Sequence, residues 1–224
     1  MNCPLTRRRL IKRSGALIAA ATPLVAATAA VTPISPGRLR FDVFRNDSMI
    51  GQHVIDLTRD GEALRAAIDV RIVVAFGPIT LYRYTHSVRE EWRDGKFVRM
   101  ESTTNDDGTN HSVRAERTAD GIAVRTGSGT LTMMPLTTIP LTHWNYLCMS
   151  TPLFNPQTGD QVIAQVRPRG EESVALADGR AIRARRYSVS GDVVLDDWYD
   201  EANTLAAIRS IGSDGSTISY RRGA

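Results

Sequence analysis

Beyond residue 30 the chain has one cysteine, Cys148, and one lysine, Lys96. A single thiol cannot close an internal disulfide, so a packed core must hold the fold. The short motifs of familiar chemistry are also missing. There is no phosphate-binding glycine loop, dinucleotide fingerprint, G-x-S-x-G elbow, H-E-x-x-H pair or C-x-x-C. Gly127-Ser128-Gly129 reads as a turn. No segment beyond residue 30 is long and apolar enough to cross a membrane as a helix. A charge surplus is absent too. The formal net charge is +4, but residues 1–32 hold five bases and no acid; beyond them 23 basic residues face 24 acidic ones. A near-neutral body offers no electrostatic footprint for nucleic acid. What remains is globular: 42% hydrophobic and 23% charged, with 17 Gly and 10 Pro among 224 residues. That composition excludes a disordered tail, a collagen-like repeat and a disulfide-stapled miniprotein.

The N-terminus reads as an address. Thr6-Arg7-Arg8-Arg9-Leu10-Ile11-Lys12 matches the twin-arginine export pattern through its lysine. An alanine-rich stretch runs from Gly15 to Ala27, and Ala27-Thr28-Ala29 supplies the small residues a signal peptidase reads. Cleavage is expected between Ala29 and Ala30, giving a signal peptide over 1–29 and a single β domain over 30–224. The general secretory route is the rival, since it shares the charged start and the cleavage site. A membrane anchor is disfavoured because the stretch is short and mostly alanine. The twin-arginine translocase and signal peptidase are thus the expected partners in export, and the mature protein is expected to be soluble and periplasmic. Cys3 leaves with the signal, and no cysteine stands at the cleavage point to take a lipid. Cys148 reads as a buried thiol; a nucleophile would need a histidine, and His143 lies five residues away.

The body reads as all-β. Asp-Gly recurs at Asp60, Asp94, Asp107, Asp120, Asp178 and Asp214, each marking a tight turn. Between turns the chain alternates: Leu64, Ala66, Ile68, Val70, Ile72, Val74 and Phe76 share a face, with Arg65, Asp69 and Arg71 opposite. Tyr82, Tyr84, His86, Val88, Glu90 and Trp92 share a face of the next strand. The pattern predicts strands at 39–45, 49–58, 63–76, 79–93, 96–105, 109–118, 121–126, 129–134, 160–167, 171–177, 180–190, 193–199, 204–212 and 216–222. Consecutive hairpins make an antiparallel meander, and one this large curls into a barrel or a half-barrel (a clam). Residues 133–158 break the alternation and carry Pro135, Pro140, Pro152 and Pro156. Within them Thr142–Met149 predicts two helical turns capped by Thr142, in a lid around 140–151 or a helix closing the core.

The candidate site residues follow from the faces. His86 and Glu90 share one strand face, His53 lies with Ile55 and Leu57, and His111 with Val113 and Ala115. If those faces point inward, His53, His86 and His111 are candidate zinc ligands, and His86, Glu90 and His143 a candidate acid–base set. Neutral imidazoles bind metals, and a carboxylate fixes the tautomer of a partner histidine. A core histidine satisfied by hydrogen bonds is the ordinary alternative. Tyr82, Tyr84, Trp92, Trp144 and Met149 offer apolar surface with polar edges, suited to an amphipathic ligand or to a filled core. Arg183, Arg185 and Arg186 could grip an anionic head group, while Arg167 and Arg169 flank Pro168 at a predicted turn.

Several stretches resemble a secreted bacterial family described as a domain of unknown function. They are Asp197-Trp198-Tyr199-Asp200 with Leu205 and the Asp214-Gly215 hairpin to Tyr220, Thr142-His143-Trp144-Asn145, and Phe41-Asp42-Val43 with Ile50-Gly51. The likeness spans residues 38–222. More remotely the chain is similar to periplasmic half-barrel lipoprotein carriers and lipocalin-like barrels. These resemblances imply an exported barrel or clam holding an apolar ligand, and they supply no catalytic residues. The expected function is binding of a small apolar or amphipathic, lipid-like ligand without chemistry and without a cofactor. The alternatives are a hydrolase, lyase or isomerase built on the His/Glu cluster, with zinc or without, and an accessory protein of an envelope assembly.

Overall fold

A computed structural model describes residues 35–223. The expected signal peptide, Cys3 and the Ala29–Ala30 cleavage point lie outside the described residues. Alternating burial and Asp-Gly turns generate a run of strands: β1 (Gly37–Arg45), β2 (Ser48–Asp60), β3 (Ala63–Phe76), β4 (Ile79–Arg93), β5 (Lys96–Asp106), β6 (Thr109–Arg117), β7 (Ile122–Thr126) and β8 (Leu131–Met134). A crossing segment follows, with β9 (Ile139–Pro140), a 3₁₀ turn at Tyr146–Met149, β10 (Leu153–Phe154) and β11 (Gln161–Val162). The meander resumes with β12 (Ala164–Ala175), β13 (Ala181–Gly191), β14 (Leu195–Tyr199), β15 (Leu205–Ile211) and β16 (Thr217–Arg222). Asp94-Gly95 and Asp107-Gly108 take positive φ at both positions, the two-residue turn that matches strand twist.

β16 returns to pair antiparallel with β1, so both halves of the meander join in one sheet of 13 strands. Its edges are β12 and β8, which do not pair with each other. The sheet is therefore an open half-barrel, the clam form of the expected fold. One edge is blunted against further pairing: β12 carries Arg167, Pro168, Arg169, Glu171 and Glu172, with a bulge between Pro168 and Gly170.

The main core fills the concave side. On β3, Leu64, Ala66, Ile68, Val70 and Ile72 are buried while Arg65 and Arg71 are exposed. The crossing segment packs into that core through Leu141, Trp144, Cys148, Met149, Leu153 and Phe154. No helix among the described residues is long and apolar enough to cross a membrane.

Local expectations differ from the structure in four places. The two helical turns predicted over Thr142–Met149 shrink to one 3₁₀ turn, and its cap is Asn145, whose Oδ1 accepts from the Leu147 N–H at 3.0 Å. The prolines around it leave no room for a longer helix. The stretch predicted to lack strands contains β9 and β10, paired in parallel. The predicted turn at Pro168 is a bulge inside one strand: proline's missing N–H costs nothing at an edge. Phe76, expected inside, is 77% exposed because the β3–β4 hairpin runs past its neighbours: pairing with β2 ends at Ile72 and with β5 at Tyr84.

Candidate functional site

On β14, alternation sends Asp197 and Tyr199 inward, fully buried, and Trp198 to the opposite face. There Trp198 lies beneath the guanidinium groups of Arg186 and Arg209 at 5.5 and 5.2 Å. The two inward side chains grip one residue of the crossing segment. His143 Nδ1 donates to Asp197 Oδ2 at 2.8 Å, and the Tyr199 hydroxyl donates to the His143 carbonyl at 2.7 Å. An ionised carboxylate only accepts, so the Nδ1 proton is fixed and Nε2 is the ring's free nitrogen. His143 sits at φ 64°, a left-handed conformation uncommon for a side-chain-bearing residue. Burial works against its charge, yet the neighbouring Asp197 carboxylate raises its pKa above the ordinary value.

His143 forms part of the wall of a cavity of about 230 Å³. From β2 and β4 come His53 and His86; Leu141, Asn155 and Gln157 enter from the crossing segment, and Ile208, Ser210 and Tyr220 from β15 and β16. The wall is tied across the gap, for the Tyr84 hydroxyl donates to Gln157 Oε1 at 3.1 Å. Within it His53 is 5% exposed, lies 5.6 Å from the Phe41 ring and 5.7 Å from Tyr220, and neither ring nitrogen has a partner. Burial, reinforced by His143 and His86, pushes its pKa down to about 3. His86, its Nδ1 2.7 Å from Thr104 Oγ1, is lowered by burial to about 4. Both rings are thus neutral, and His53 presents a buried donor and acceptor that nothing in the protein satisfies. Each such group ordinarily costs about 1–3 kcal/mol.

The opposite end of the concave side is filled. Trp92 and Trp144 meet edge to face at 5.6 Å, and Phe97 lies 5.5 Å from Trp92 and 6.0 Å from Phe154. Both indole N–H groups donate to Glu90 Oε2, at 2.7 and 3.2 Å. Burial raises the Glu90 carboxyl to about 7 against the pull of those bonds. Cys148 is here too, its Sγ 3.4 Å from the Tyr199 hydroxyl, with burial pushing the thiol far above its usual range.

The structure therefore divides the sequence-predicted residues. It gathers His53, His86, His143 and Tyr84 at the cavity. Glu90, Trp92, Trp144 and Met149 go to the packed end. Tyr82 lies outside the cavity lining, in the adjoining apolar cluster, and donates to Asp106 Oδ1 at 2.7 Å. His111 lines a separate trough of hydroxyl side chains with Thr103, Ser112 and Thr126. Among the described residues no group of three or more His, Cys, Asp or Glu side chains is arranged to hold a metal ion. The arginines are already engaged: Arg183 with Glu171 and Arg186 with Asp196. The residue not singled out for chemistry is Asp197. Its signal was an acid at an inward position, two residues from Tyr199 on a short strand.

The DUF6134 family, described as a domain of unknown function, matches residues 41–223. No curated protein matches. Among solved structures, the β-barrel-like protein of the domain of unknown function DUF1849 from Brucella abortus superimposes with a TM-score of 0.58. The two share 11% identity over 84% of this chain and 95% of that one, a likeness of fold alone.

Proposed function

We propose that this chain, which belongs to the DUF6134 family, is exported and holds a small amphipathic molecule, without chemistry, in the cavity walled by His53, His86 and His143. The observation that carries the reading is the His53 ring, buried with both nitrogens unpartnered on the cavity wall. A bound polar group would satisfy it. The apolar remainder of the ligand would rest on Ile68, Val70, Leu141 and Ile208. At about 230 Å³ the space falls below the ~300 Å³ typical of drug-sized pockets, so the ligand's enclosed part is small. The wall continues into further apolar surface, since Val70, Tyr84 and Tyr220 belong both to it and to the cluster of Ile72, Val74 and Tyr82.

Native mass spectrometry on residues 30–224 from the original host tests this. A low-mass adduct is expected, and it should be lost in His53→Phe, which fills the cavity and removes the polar contact. An unliganded protein, or an adduct indifferent to that substitution, would overturn the reading. A second reading is favoured by one observation, the carboxylate-oriented His143 with Nε2 free. That arrangement is a general base awaiting a substrate. Turnover of a bound ligand that stops in Asp197→Asn, while retention persists, would favour the enzyme over the carrier.

A further inference from the structure

The β3–β4 hairpin outruns its neighbours. Pairing of β3 with β2 ends at Ile72, and pairing of β4 with β5 ends at Tyr84, extended to Arg83 by the Asp107 turn. Residues 73–82 thus form a projecting finger, closed by a turn at Gly77 and Pro78. Its large apolar side chains are open to solvent on both of its faces: Val73 is 42% exposed, Phe76 77%, Ile79 59% and Leu81 60%. Four such side chains on one projecting tip are a concentration of apolar surface, unlike scattered exposed leucines.

Charge selects among occupants. From Val70 to Arg89 the chain has no acidic residue. Arg71 and Arg83 stand exposed behind the tip, and neither is ion-paired among the described residues. Asp106 and Asp107, on the adjoining β5–β6 turn, accept from the Tyr82 hydroxyl and the Arg83 backbone N–H, which holds them level with Arg83 and short of the tip. An apolar tip with cations set behind it complements a bilayer whose surface is anionic: the tip reaches the acyl boundary while guanidinium groups meet phosphates. We propose that the β3–β4 finger docks this protein on an anionic lipid surface, through Val73, Phe76, Ile79 and Leu81 with Arg71 and Arg83. The finger's inner side chains, Val74 and Tyr82, belong to the apolar cluster that shares Val70, Tyr84 and Tyr220 with the cavity wall, so docking brings that cluster up to the bilayer.

Vesicles of phosphatidylethanolamine and phosphatidylglycerol, sedimented at low salt with the protein from residue 30 onward, test the docking. The wild type should sediment with them, and binding should fall as salt rises. Phe76→Ser with Leu81→Ser should weaken binding roughly tenfold or more, given the apolar area withdrawn. Arg71→Gln with Arg83→Gln should weaken it on anionic vesicles and remove the salt dependence. The melting temperature checks that both double variants are folded, as exposed positions permit. His53→Phe should sediment like the wild type, which separates this proposal from the cavity reading. A wild type that stays in the supernatant, or tip variants that bind unchanged, would overturn it. So would a finger needed only for a complex with another protein.

Discussion

The two ends of the concave face are built from the same strands and yet hold opposite contents. At one end Trp92, Trp144, Phe97 and Phe154 interlock, and the buried Glu90 receives two indole N–H groups. At the other, His53, His86 and His143 surround open space, and His53 has no partner. The crossing segment serves both ends: Trp144 closes the first, and its neighbour His143 faces the second. Inward alternation therefore makes an interior but does not decide whether it is filled. That is settled by which side chains the crossing segment delivers to each height.

Substitutions should treat the two ends unequally. Trp144→Ala removes a fully enclosed indole and a Glu90 donor, so a loss of about 3–5 kcal/mol is expected in urea unfolding. A loss below ~1 kcal/mol would mean that the packed end is not packed. Asp197→Ala, at the junction of the ends, strips the charge that orients His143 and should cost about 3 kcal/mol. It should also lower the His143 pKa, measurable by proton NMR. The folded pKa of His143 is raised, so the pair's stabilisation is full below the unfolded value of 6.5 and lost as pH climbs through the folded value.

The ends should also answer pH with opposite signs. His53 and His86 stay neutral when folded, at about 3 and 4, but take up protons in the unfolded chain below 6.5. They therefore make stability fall as pH drops below that value. Glu90, raised from 4.5 to about 7, binds its proton more tightly when folded, so it makes stability fall as pH rises across that interval. Across that interval the two histidines outweigh the one carboxyl, so in unfolding series stability should rise with pH, less steeply than wild type in His53→Phe and more steeply in Glu90→Gln. Equal slopes in both variants would erase the distinction. The smallest loss belongs to His53→Phe at neutral pH: it fills space and removes two unpartnered nitrogens, so stability should hold or rise.

Much of this was legible in the sequence. The period of two placed Ile68, Val70 and Ile72 inward, and Asp-Gly pairs placed the hairpins, because both signals are local. Faces were legible as well: His53 and His86 do point into the concave side. Height was not. Glu90 lies four residues beyond His86, about 13 Å along a strand, so one face spans both the cavity and the packed end. Nor did alternation reveal Asp197 under His143, since that pairing joins residues 54 apart through a segment with no period. The exposure of Phe76 depends on how far β2 and β5 run beside the hairpin, a non-local fact.

The ring nitrogens of the histidines offer the most direct test of the cavity as a binding site. Nitrogen-15 spectra would be recorded before and after adding a small-molecule extract of the host. Binding at the cavity predicts that His53, His86 and His143 shift together while His111, in its separate trough, stays still. Shifts at His111 alone, or none at the other three, would contradict it.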